Sequence, residues 1–320
     1  MPLLLTRDEV RPLLDLRKAI ELTEAAFREQ AEGKVSAHAP YHIRTTGNRG
    51  LRVVSGALVK SGRVGVRLGP NVQLSGGDRM YALIFDIESG ELLSFMGYPF
   101  GTLRTAATIG LAARHMARED ARTVGLFGVG RNALGLLNGI AAVRKITKVV
   151  VSSRDAERRK SFCERAEKEL EIEIVPSGEA EAAVKKMDVI LTATSSTAPI
   201  FPVEWLEPGA HVSSMGKPGE IGKDVYLKVD RIVVGCREHE QNYYDRDGAL
   251  PLVELIAEGK ISWEKIPEMG DLVTGRSAGR KNAEEITVFK ESQGGFGDVA
   301  FAKWVYEEAT RRKLGREMEL

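Results

Sequence analysis

With 320 residues, 43% of them hydrophobic, the chain is long enough for two domains that each bury a core. Lys and Arg (46) nearly cancel Asp and Glu (45), so no overall field favours nucleic acid or a membrane surface. Cys163 and Cys236 stand far apart without metal-ligand spacing, which argues against a disulfide framework and a zinc site, and no run approaches the length of a membrane span.

In chain order, Leu3-Leu4-Leu5 is too short for a signal segment, and the expected location is cytoplasmic. Thr6 followed by Glu9 has the form of a capping box. A helix follows Asp15, with Leu16, Ile20, Thr23 and Phe27 on one stripe, and Gly33 stops it. Four β-prone pieces come next: Leu51–Val54, Val64–Leu68, Tyr81–Asp86 and Glu91–Met96. Gly, Ser and Asn separate them, which suggests an antiparallel sheet with a hairpin turn at residues 86–91.

From about residue 102 the pattern alternates. Helices are expected at Thr102–Ala117, Asn132–Val143, Ala156–Leu170 and Ala180–Met187. Between them lie strands at Thr123–Phe127, Lys148–Ser152, Ile172–Val175 and Asp188–Thr194, followed by Ala210–Met215 and Asp230–Val234. Apolar strands alternating with amphipathic helices mark a parallel sheet covered on both faces. The last helix, Asp298–Leu314, carries a broad apolar face able to pack back on the N-terminal sheet. The expected fold is therefore α/β: a doubly wound Rossmann domain at 119–295, and a discontinuous α+β domain from 1–118 and 296–320.

Thr123–Phe127 runs into Gly128-Val129-Gly130-Arg131-Asn132-Ala133, a strand–turn–helix fingerprint for a dinucleotide. Gly128 permits the tight turn, Gly130 lets backbone approach a diphosphate, and Ala133 lets helix and strand pack closely. Arg131 and Asn132 complete the turn, and the helix N-terminus presents N–H groups to phosphate. At the end of the next strand, Ser153 and Arg154 offer a hydroxyl and a guanidinium suited to a 2′-phosphate, while Asp155 comes one position late for a ribose. These residues lean toward NADP, with NAD left open.

Arg104-Thr105-Ala106-Ala107 ahead of the Rossmann strand resembles the signature of the ornithine cyclodeaminase/mu-crystallin family. The segments 188–196, 208–216 and 285–290 match in the same order. The resemblance implies a homodimer in which the N-terminal segment and C-terminal helix form a dimerising substrate domain around a central NAD(P)-binding Rossmann domain, and a small amino- or imino-acid substrate. It implies that Arg104 binds the substrate carboxylate, that Thr105 lies beside the cofactor phosphates, and that Thr194, Ser195, Met215, Gly216 and Ser292 line the cofactor. A planar guanidinium independently suits carboxylate recognition.

Three departures bear on function. Arg67 stands where cyclodeaminases carry a Lys; it stays charged but can still grip a carboxylate or polarise an imine. The family glutamate of the earlier strand is replaced within Leu51-Arg52-Val53-Val54. The aspartate after the Gly216 position is missing from a shortened loop. The hydride-transfer apparatus is intact. The expectation is an amino-acid dehydrogenase or imine reductase, with Arg67, Arg104 and Lys217 as catalytic residues. Lys217, Glu220 and a histidine (His38 or His42) are the candidates for moving protons. The alternatives are an ornithine or lysine cyclodeaminase that uses its cofactor without net redox change, and a non-catalytic NADPH-binding protein of the crystallin type.

Overall fold

The computed structural model describes residues 1–45, 50–70, 79–243, 248–292 and 294–319. Two compact units form: Met1–Arg104 with Glu238–Tyr243 and Gln293–Leu320, and Thr105–Arg237 with Tyr244–Ser292. The division falls inside the helix Gly101–Met116, leaving Arg104 in the first unit and Thr105 in the second. No described helix is long and apolar enough to cross a membrane.

In chain order the strands are β1 (Leu3–Leu5), β2 (Val35–Ala37), β3 (Tyr41–Arg44), β4 (Gly50–Leu58), β5 (Arg63–Pro70), β6 (Tyr81–Asp86) and β7 (Leu92–Gly97). They continue as β8 (Thr123–Phe127), β9 (Lys148–Ser152), β10 (Glu173–Ser177), β11 (Val189–Thr192), β12 (His211–Ser214), β13 (Arg231–Val234), β14 (Thr287–Lys290) and β15 (Arg316–Glu317).

The first unit holds an eight-stranded sheet in the order β15-β1-β7-β6-β5-β4-β2, with β3 also paired to β4. The four β-prone pieces are its antiparallel centre, β4 to β7. The Asp86 carboxylate closes the expected hairpin by accepting from the Glu88 and Ser89 backbone N–H groups, each at 3.0 Å. Thr6 and Glu9 form the capping box reciprocally, and the helix Leu16–Ala31 starts on an Asp15 cap. It ends just before Gly33, whose φ of +69° suits a residue without Cβ.

The final helix, Gly295–Arg312, begins one turn earlier than expected and lies on β4 and β5. Two glycines make that approach possible. Gly56 and Gly65 are cross-strand partners on the same sheet face as Arg67. A Cβ on Gly56 would collide with the Gly295 and Phe296 backbone, and one on Gly65 would come within 3.3 Å of Val299 Cγ2. Phe296 then packs edge-on against Phe27 with centroids 5.6 Å apart.

The second unit holds a seven-stranded, wholly parallel sheet in the order β10-β9-β8-β11-β12-β14-β13. The chain runs outward from β8 through β9 to β10, then returns to the other side of β8 as β11. The strand order thus reverses between β8 and β11, which opens a crevice at their carboxyl ends.

One expectation needs correction, and one strand adds to those expected. The segment Ala180–Met187 is a single 3₁₀ turn at Glu181–Ala183, because the Ala183 carbonyl sits directly over Gly125 and Lys186 turns the chain through φ +59°. In addition, β14 is a central strand, although its Thr-Val-Phe-Lys sequence lacks the apolar run that marks one.

His211 opens β12 fully buried, its ring nitrogens 2.9 Å from Thr287 Oγ1 and from Ser213 Oγ. Burial, reinforced by the charges of Arg280 and Arg144, pushes its pKa down to about 3 from an ordinary 6.5. The unfolded chain therefore takes up a proton that the folded chain refuses. Stability from this group is complete above pH 6.5 and falls, by roughly 1.4 kcal/mol per pH unit, as pH drops toward 3. A His211→Gln variant should lose less stability than the parent between pH 6.5 and 4 in urea titrations. Equal losses would refute the assignment.

Candidate active site

At the mouth of the β8–β11 crevice, β8 turns at Gly128 with φ +93°. A Cβ there would stand 2.6 Å from the Ala193 carbonyl at the end of β11, so only glycine lets the two strand ends close up. A Cβ on Gly130 would meet nothing within 4 Å: its backbone borders open space. Ala133 is fully buried and opens the helix Ala133–Ala141, which no side chain caps. An open glycine turn leading into an uncapped helix start has the geometry to accept an anionic group such as a diphosphate. Arg131 is exposed beside it, and Asn132 Nδ2 lies 4.0 Å from Met215 Sδ.

At the end of β9, Ser153 is half-buried and Arg154 exposed. The Asp155 carboxylate caps the next helix by accepting from Arg158 N at 3.0 Å, and is thus committed to the helix start. Arg159 donates to the Ser153 carbonyl, holding this corner in place.

Glu220, a sequence candidate for proton handling, has another role. It is fully buried. Its Oε1 accepts from Thr192 Oγ1 at 2.5 Å, Ser214 Oγ at 3.1 Å and Gly216 N at 2.8 Å. Its Oε2 accepts from Thr194 N at 3.0 Å and Thr194 Oγ1 at 2.6 Å. With both oxygens engaged, this carboxylate clamps the ends of β11 and β12 and fixes the Met215-Gly216 loop. Lys217 is half-buried in that loop, its N–H donating to the Thr194 carbonyl at 3.2 Å. Lys290 Nζ reaches the Gly216 carbonyl at 3.4 Å. Ser195 is exposed next to Thr194, and Thr105 is buried. Ser292 is buried and bonds the Cys236 backbone, accepting from its N–H and donating to its carbonyl.

The first unit gathers Arg67 and Arg104 around Asp298, a residue that sequence reasoning noticed only as a helix start. Arg67 Nε donates to Asp298 Oδ2 at 2.8 Å, and Arg104 Nε lies 3.2 Å from Oδ1. The Tyr98 hydroxyl donates to Oδ1 at 2.7 Å. All four side chains are buried or nearly so. Burial opposes the charge on Asp298, but Arg67 and Arg104 outweigh it and hold the pKa below the ordinary carboxylate value. Burial, then the Asp298 charge, raises Tyr98 well above its ordinary value, so it remains a donor. Nothing local marks this cluster, since Arg67 and Asp298 are 231 residues apart. His38 is exposed and pairs with Glu238 at 2.7 Å, outside the cluster. Among the described residues, no group of His, Cys, Asp and Glu side chains could hold a metal ion.

Residues 1–313 match the ornithine cyclodeaminase/mu-crystallin family. The chain belongs to that family. It is 32% identical to a delta(1)-pyrroline-2-carboxylate reductase of Bacillus thuringiensis over 243 residues, which cover 74% of this chain and 73% of the relative. It is 31% identical to an alanine dehydrogenase of Archaeoglobus fulgidus over 99% of this chain and 98% of that one. A delta(1)-pyrroline-2-carboxylate reductase of Thermococcus litoralis, solved with NADH and L-proline, superposes with a TM-score of 0.87 at 27% identity. That similarity covers 99% of this chain and 100% of the other.

Asp298→Asn removes the carboxylate shared by Arg67 and Arg104 and leaves their charges buried. A loss of about 3–5 kcal/mol is expected in urea unfolding. A change under about 1 kcal/mol would mean that the arginines do not depend on it.

Proposed function

We propose that this chain is an NAD(P)-dependent oxidoreductase acting at Cα of an amino acid or of its open-chain or cyclic imine. The observation that carries the reading is the Gly128–Gly130 cradle at the β8–β11 crevice, in a family whose relatives include imine reductases and amino-acid dehydrogenases. The nicotinamide, when bound, supplies or accepts the hydride. Gly128, Gly130, Arg131, Asn132 and Ala133 would hold the diphosphate, with Thr105 beside it. Thr194, Ser195, Met215 and Gly216 would border the nicotinamide side, on loops clamped by Glu220 and by the Ser292 bonds to Cys236.

Arg104 and Arg67 would grip the substrate carboxylate, and Asp298 fixes the direction of both guanidiniums. Lys217, in the loop after β12, is the candidate for moving the proton at nitrogen. The accumulated positive charge around Asp298 disfavours the second ammonium of ornithine or lysine, so net redox chemistry is preferred to ammonia release. With Asp155 spent as a helix cap, Ser153 and Arg154 favour the 2′-phosphate of NADP.

A homodimer would cover the outer face of the first unit's sheet. Tyr41 (67% exposed), Ile43, Val64 and Tyr81 lie there, and Tyr81 stacks on Phe95 at 5.4 Å. A contiguous apolar face of this kind suits burial against a second copy.

The test is hydride exchange between NADPH or NADH and a panel of amino acids, cyclic imines, and keto acids with ammonia. Turnover is expected, with Arg104→Met lowering kcat/KM by about 100-fold or more. Absence of exchange across the panel, with dinucleotide demonstrably bound, would overturn the reading. Arg154→Ala should raise the ratio of the KM values for NADPH and NADH about tenfold; an unchanged ratio would remove Arg154 from the 2′-phosphate site.

A further inference from the structure

Arg52 remains once Arg67 and Arg104 have been assigned to one carboxylate. It stands on β4 opposite Gly69, two residues from Val54, whose cross-strand partner is Arg67. Arg52 and Arg67 are therefore diagonal neighbours on one sheet face, within reach of the same ligand. The Arg52 Nε is buried and makes no hydrogen bond. Burial first, and then the charge of Arg67, pushes its pKa down to about 10, with Arg104 adding to the repulsion and Tyr243 and Asp298 offsetting part of it. The group stays cationic at neutral pH.

The charge count around this face is uneven. Asp298 serves the cluster, and its oxygens are already taken by Arg67, Arg104 and the Tyr98 hydroxyl. Among the described residues, three guanidiniums share this face with one carboxylate, that of Asp298. Uncompensated charge away from water is costly, and an arrangement that accumulates it is built to receive anions. A substrate carboxylate held by Arg67 and Arg104 leaves the Arg52 guanidinium, on the same face, suited to a second anionic group on the same molecule. The position also matters: the guanidinium of Arg52 is a planar fork that matches a carboxylate in two hydrogen bonds, and its buried Nε is a donor awaiting an acceptor.

We infer that Arg52 forms a second carboxylate subsite and that the substrate is an α-amino or α-imino dicarboxylate. The inference rests on the reading of Arg67 and Arg104 as holders of the α-carboxylate in an oxidoreductase. In the oxidative direction the Cα–H bond breaks, its electron pair leaves as hydride to the oxidised nicotinamide, and the amine loses a proton to give the imine. The distal carboxylate on Arg52 takes no part in bond changes. It sets which side chain is accepted.

The test compares two hydroxy acids of equal chain length, neither able to react with reduced cofactor, by calorimetry on the full chain saturated with NADPH. One is L-malate, with a distal carboxylate, and the other is (S)-2-hydroxybutyrate, with a methyl in its place. Malate should bind at least about 30-fold more tightly, as expected for a buried charge-assisted pair. Arg52→Met should collapse that preference to below about threefold, and Arg52→Lys should keep part of it.

A wild-type ratio near one, a reversed ratio, binding of neither acid, or an undiminished ratio in Arg52→Met would each overturn the inference. The wild-type comparison stands alone should the Met variant fail to fold. Kinetics with oxaloacetate or 2-oxobutyrate, each with ammonia, separates the two readings. Equal turnover of both would keep the oxidoreductase and remove the subsite. Selective malate binding with no turnover would do the reverse.

Discussion

The Asp298 carboxylate, held between Arg67 and Arg104 and capped by the Tyr98 hydroxyl, is the interaction on which the first unit's buried charges depend. Guanidiniums that are 6% and 12% exposed need a counter-charge to be tolerated, and the Asp298 carboxylate is shared by both. That sharing has a geometric precondition. The helix start bearing Asp298 must lie directly on β4 and β5, and side chains at positions 56 and 65 would hold it off. Two glycines on the face that bears Arg67 thus decide whether two arginines can share Asp298.

The second unit uses a buried carboxylate differently. Glu220 faces backbone N–H groups and hydroxyls, accepting from five donors that belong to the ends of two strands, β11 and β12. Hydrogen bonds to a charged acceptor are stronger than neutral ones, and here they make separate segments behave as one rigid rim around the crevice. The two acids therefore position other groups, and proton movement is left to Lys217 in the proposed scheme.

Much of the architecture could be read locally. The βαβ alternation from residue 123 to 234 survives with shifts of a residue or two, because parallel strands covered on both faces must be apolar and their helices amphipathic. The hairpin at Asp86, the cap at Thr6 and the glycine turn at 128–130 are set by side chain-to-backbone bonds within a few residues or by steric demands of a single position. The misses have equally physical causes. β14 escaped notice because its Thr and Lys are buried by neighbours from distant segments, and the helix expected at 180–187 was displaced by a carbonyl resting on Gly125.

By itself, the order of residues determined the glycine turn after β8, the parallel sheet, the family, and Arg67 and Arg104 as charges suited to a carboxylate, all features that short-range patterning must express. What only the tertiary structure decided was pairing across long separations. Asp298 reaches Arg67 across 231 residues and Tyr98 across 200, Glu220 became a clamp, and Arg52 came to share a face with Arg67. A charge in a sequence carries no mark of its burial or partner; those are fixed when sheet register and helix docking exclude water around it.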